Sequence, residues 1–132
     1  MLSFNFGNYD IIREPDEIDQ NCDYIMVTDQ EQSPNSKWRY VHDKGLENSS
    51  PLYSSFFARY HPFRYTDADV VVIVDSSIKI KHSLRPIVES FKDDFAQIAL
   101  MTGNYTHDND KIRAWIYNNR LSRDDSIKLK QF

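Results

Sequence analysis

Asp69-Val70-Val71-Val72-Ile73-Val74-Asp75-Ser76-Ser77-Ile78-Lys79-Ile80 is the stretch that decides how this chain is read. Five β-branched apolar residues, Val70 to Val74, stand between two acids. The run is far shorter than the ~20 residues of a membrane span, and its branching disfavours a helix. It reads as a strand buried on both faces, the central strand of an α/β sheet. Asp75 then falls at the strand's carboxyl end, the edge at which open α/β sheets bind ligands. A carboxylate there, followed by the small hydroxyl residues Ser76 and Ser77, has the chemistry to hold a metal, a ribose or a phosphate. The plainer reading makes Asp75 a turn residue, as Asp commonly is after a strand.

Working back from this strand, Pro51 opens a helix capped by Ser50. Leu52, Phe56 and Tyr60 recur at four-residue spacing with Tyr53 and Phe57 beside them, giving an amphipathic helix of about three turns. Trp38-Arg39-Tyr40-Val41 suits a short strand. Tyr24-Ile25-Met26-Val27-Thr28 suits a buried one closed by Asp29. Phe4 and Phe6 alternate with polar neighbours as a first strand, and Gly7-Asn8-Tyr9-Asp10 is its turn, with Gly7 at positive φ. Working forward, Ile78 and Ile80 alternate with lysines in an extended segment. Arg85 to Phe95 reads as a helix with Ser83 as its cap, and Gln97 to Met101 as a strand. Ile112, Trp115 and Ile116 have helical spacing over about Asp110 to Arg120, and residues 122–132 form one more helix. Strands alternating with helices predict a single α/β domain over residues 1–132, a Rossmann-like sandwich around a mostly parallel sheet. Asp29 and Asp75 are expected on the same edge of that sheet.

Composition narrows the function. The net charge of −4 and pI near 5.5 argue against general nucleic-acid or anionic-membrane binding. No apolar run reaches the length of a transmembrane segment, and Met1-Leu2-Ser3-Phe4-Asn5 lacks the basic region of a signal peptide. The single cysteine, Cys22, excludes an intramolecular disulfide and a cysteine-based zinc site. A cytoplasmic protein is the expectation. No G-x-G-x-x-G and no P-loop pattern occurs, and Ser76 lacks the G-x-S-x-G setting of a nucleophile. His107 with Asp108 and Asp110 has the residue types of a metal site, although polar loops carry such residues without binding anything.

Three segments in order resemble a family. Phe4-Asn5-Phe6-Gly7-Asn8-Tyr9-Asp10 looks like the F-G-N-Y-D opening of nucleotide-sugar transferases with the GT-A fold. The nearest group is glycosyltransferase-like and was once called domain of unknown function 616. Asn21-Cys22-Asp23-Tyr24-Ile25-Met26-Val27-Thr28-Asp29 is similar to that group's second element. Ala58 to Ile80 resembles its third, with Asp75-Ser76-Ser77 where the group has D-G-x. The likeness covers residues 4 to 107. It implies a glycosyltransferase that binds a nucleoside-diphosphate sugar and passes the sugar to a glycan or other acceptor.

By position, the resemblance implies that Phe6, Gly7, Asn8 and Tyr9 line the nucleotide pocket. Asp29 would sit near the base or ribose, and Arg59 near the diphosphate, with Ser76 and Ser77 beside it. Asp75 takes the place of the first acid of the D-x-D motif, which holds a divalent cation, manganese or magnesium. His107 is the other metal candidate. Ser77 departs from the pattern, since an acid stands there in metal-dependent enzymes. The chain is also short for the family, which makes an acceptor half reduced or absent an expectation. A competing reading is a non-catalytic nucleotide-sugar-binding module, completed by a partner chain or a second copy. The C-terminal apolar residues Ile112, Trp115, Ile116, Ile127, Leu129 and Phe132 would cover exposed surface or pair with that copy.

Overall fold

A computed structural model of the chain describes residues 1–91, 96–101 and 112–118. Strands β1 (Leu2–Asn5), β2 (Ile25–Thr28) and β3 (Arg39–Val41) precede helix α1 (Pro51–Tyr60). Strand β4 (Val70–Ile73), helix α2 (Arg85–Phe91) and strands β5 (Ala96–Met101) and β6 (Ile112–Asn118) follow. The six strands form one sheet in the order β3-β2-β1-β4-β6-β5. The β3-β2-β1-β4 part is parallel, while β6 runs antiparallel to both β4 and β5. The protein is thus an α/β domain, and the runs containing Ile25, Val70 and Gln97 are strands of one sheet as expected.

Alternation along the strands sends side chains to the two faces. Leu2, Phe4, Phe6, Ile25, Val27, Val71 and Ile73 pack on one face with Leu46 and with Ala58 of α1. Met26, Val72 and Val74 pack on the other with Tyr24, Trp38 and Ile80, and Ile12, Leu84 and Val88 lie against them. Neighbouring Val71 and Val72 serve opposite faces, which is why the whole run had to be apolar. On the second face the segment after β1 is tied to the one before β3. The Glu14 carboxylate accepts from the Ser36 hydroxyl and the Lys37 amide at 2.7 Å each, and the Trp38 indole donates to the Arg13 carbonyl at 2.9 Å.

Two expectations change. The segment around Trp115 is strand β6, not a helix. The spacing of Ile112, Trp115 and Ile116 fits either element over so short a run. Tertiary demand decides: with β1 on one side, β4 needs a partner for the backbone groups on its other side. Residues 112–118 supply it in register, Ile73 opposite Trp115 and Val70 opposite Asn118. Helix α1 has the expected bounds, Ser50 cap and leading proline. It is, however, turned so that Leu52, Tyr53, Phe56 and Tyr60 face solvent. Ser54 and Ala58 are its buried residues, and their small side chains let the helix backbone approach β1 closely. Residues 92–95, the helix expected over 122–132, and Ile127, Leu129 and Phe132 lie outside the described residues.

Candidate functional site

Because β1 to β4 are parallel, their carboxyl ends share one edge, and Asp29 and Asp75 both emerge there. At the end of β1 the chain turns through Gly7 at φ 67° and Asn8 at φ 52°. Gly7 is required twice over: the left-handed conformation penalises a Cβ, and one built there would lie 2.7 Å from Pro51 of α1. Asn5 closes the loop from inside the sheet. Its amide donates to the Asp10 carbonyl at 2.6 Å and its side-chain oxygen accepts from the Asp10 amide at 3.4 Å. The Asp29 carboxylate accepts the Gly7 N–H at 2.8 Å. The β1 turn and the end of β2 are therefore one joined unit, with Tyr9 projecting from it 88% exposed.

Beside this unit lies a cavity of about 250 Å³. Phe6, Thr28, Asp29, His42, Asp43, Leu46, Glu47, Ser49, Pro51 and Ser54 line it. The start of α1 opens onto it. Part of this lining is built on Asp43, a residue that sequence reasoning passed over. Its carboxylate accepts two bonds from the Arg64 guanidinium, 2.7 Å from Nε and 3.0 Å from Nη2. It also accepts the Tyr65 hydroxyl at 2.9 Å and the Gly45 amide at 2.9 Å, the latter capping the short 3₁₀ turn Lys44–Leu46. Above all, the Arg64 bonds hold the Asp43 carboxyl down at about 2. Burial and the hydrogen bond to Asp43 push the Tyr65 phenol up. One signal was available in the sequence: Asp43 follows the apolar pair Tyr40-Val41 much as Asp29 and Asp75 follow their own strands.

At the end of β4, the Val74 amide donates to the Leu2 carbonyl, and Asp75 follows in a turn closed by the Ile78 amide on its carbonyl. The Arg59 guanidinium, from the last turn of α1, donates to Asp75 Oδ1 at 2.5 Å. The two side chains are 25% and 43% exposed, and an ion pair open to water to that extent contributes only about 0–1 kcal/mol. Ser76 is buried, its carbonyl accepting from the Arg13 amide, while Ser77 is exposed. Among the described residues, no three His, Cys, Asp or Glu side chains are grouped to hold a metal ion. His107 lies outside the described residues. The structure brings together Phe6, Gly7 and Asp29 on one side and Arg59 and Asp75 on the other. His42 and Asp43 join the first group without having been expected there. No described helix is long and apolar enough to cross a membrane.

Comparison of the chain with family models, with characterised proteins and with solved structures found no match.

Proposed function

We propose that this α/β domain is of GT-A type, binds a nucleoside-diphosphate sugar at the carboxyl edge of its sheet, and transfers the sugar to a glycan or similar acceptor. The observation that carries the reading is one shared edge. The Gly7-Asn8 turn, Asp29 and Asp75 all follow the ends of parallel strands, and Arg59 of α1 reaches Asp75 there. The order β3-β2-β1-β4 places a topological switch point between β1 and β4, where open α/β sheets bind their ligands. Gly7-Asn8 ends one of those strands and Asp75 the other.

The cavity suits one end of such a donor. At about 250 Å³ it falls short of the ~300–1,000 Å³ that encloses a whole drug-sized ligand. A nucleoside would enter it, with its polar edge toward Asp29 and the backbone of the β1 turn. The diphosphate would then extend toward Arg59 and Asp75, past Ser77. The Asp29 carboxylate is oriented for this by the Gly7 N–H on its Oδ2. A binding module without turnover is the second reading, favoured by Ser77 at the position of a second acid.

Calorimetric titration with a panel of nucleoside-diphosphate sugars, with and without manganese, tests the proposal. One donor is expected to bind in the ~1 μM to 1 mM range usual for enzyme substrates, with the free sugar binding far more weakly. Release of nucleoside diphosphate on adding an acceptor separates the enzyme from the module. Failure of every member of the panel to bind would remove the reading.

A further inference from the structure

The cation implied by the resemblance meets a poor donor set at the end of β4. Asp75 offers one carboxylate, and the residue two positions on is a serine. No group of three acidic, histidine or cysteine side chains stands among the described residues. The carboxylate is also already engaged, with the Arg59 guanidinium 2.5 Å away. A divalent ion seated on Asp75 would share a few ångströms with that positive charge, and like charges so close repel.

We propose that Arg59 itself takes the place of the ion. It is the positive charge that receives the diphosphate of the donor, and Asp75 is a positioning residue that holds the guanidinium at the carboxyl end of β4. This deepens the donor-binding reading above and rests on it. The fold supplies what such a role needs. Arg59 follows Ala58, which is fully buried against the β1–β4 core, so its backbone is fixed. Most of its side chain is covered, yet Asp75 is 43% exposed, so the pair can be approached from solvent. A guanidinium carries five N–H donors in a planar fork, which lets it hold a carboxylate and a phosphate oxygen together. Its charge does not depend on a metal supply. Resting against Asp75, it is oriented before the ligand arrives, which lowers the cost of ordering it on binding.

The test uses UDP, GDP and ADP in turn as probes, by calorimetry, in manganese and in EDTA. The tightest of the three is expected to bind with about the same affinity in both. Arg59→Ala should weaken it at least about tenfold in either medium, Arg59→Lys should retain part of the affinity, and Asp75→Asn should weaken it in EDTA as well as in manganese. Circular dichroism of each variant checks its fold, and the lysine and asparagine variants keep the test sharp should Arg59→Ala unfold. A readout without nucleotide runs alongside: manganese added to ¹⁵N-labelled protein should leave the amide signals of residues 74–78 unbroadened. Binding that requires manganese, selective broadening around Asp75, or wild-type affinity in folded Arg59→Ala would overturn the inference while leaving the donor-binding reading intact. Absence of binding by all three probes in both media would overturn the two together.

Discussion

Asp43 and Asp75 occupy matching places and do different things. Each lies two residues beyond a parallel strand, β3 or β4, on the same edge of the sheet. Asp43 accepts four bonds from Arg64, Tyr65 and Gly45, and its side chain is 5% exposed. Among the described residues Asp75 accepts one bond, from Arg59, and its side chain is 43% exposed. A carboxylate whose acceptor sites are filled by its own chain is a structural post. One with a single partner and an open side can trade that partner or share it with a solute. The edge of an α/β sheet therefore does not make an acid functional; the number of partners that the fold brings to it decides.

The largest expected effect is on stability. Asp43→Ala should cost about 2–3 kcal/mol, because it strands the Tyr65 hydroxyl, the Gly45 amide and the Arg64 guanidinium. The half exposure of Arg64 keeps the figure below that of a fully buried pair. Urea denaturation should show a lower midpoint with an unchanged slope. A loss of comparable size in Asp75→Ala would erase the contrast between the two acids.

The next effect is one of pH. The Asp43 carboxyl is lowered from 3.8 to about 2, so its stabilising contribution is complete above the ordinary value and is lost as pH falls from about 4 toward 2. The difference corresponds to about 1–2 kcal/mol, the lower end allowing for solvent screening at Arg64. Acid titration followed by circular dichroism should therefore show a destabilising limb in this window. In Asp43→Asn that limb should flatten. If it persists unchanged, another carboxylate is responsible.

The smallest effect belongs to the other acid. Asp75→Asn should change the unfolding free energy by less than about 1 kcal/mol, as expected for an exposed ion pair, while weakening diphosphate binding. A variant that lost stability and kept its affinity would make Asp75 a second structural post.

Much of the frame was legible because burial on both faces demands continuous apolar runs, and Tyr24–Thr28 and Val70–Val74 are such runs. Helix α1 was legible from Ser50 and Pro51, which act locally. Its rotation was not, since Ser54 and Ala58 bury by being small enough for close approach, and a hydrophobic stripe does not record that. β6 was misread because its seven residues fit two periods and only the unfilled side of β4 chooses between them. Asp29, Asp75 and Arg59 could be singled out in the sequence, whereas the pairing of Arg59 with Asp75 could not. Asp43 was missed for the same reason: its partners Arg64 and Tyr65 are 21 and 22 residues away, and nothing local links them.

The order of the strands sets a schedule for synthesis. On one side β4 pairs with β1, which is made before it, but on its other side it pairs with β6, roughly forty residues further along. β5, made in between, ends up outside β6 and cannot stand in for it. At about 5–20 residues per second, the Val70–Ile73 edge waits a few seconds on the ribosome with unpaired amides and carbonyls. Short, uncharged, β-branched segments in that condition seed cross-β association. Asp67, Asp69 and Asp75 bracket this one, and charges flanking a sticky strand act as gatekeepers. During those seconds the acids guard the nascent edge against neighbouring chains.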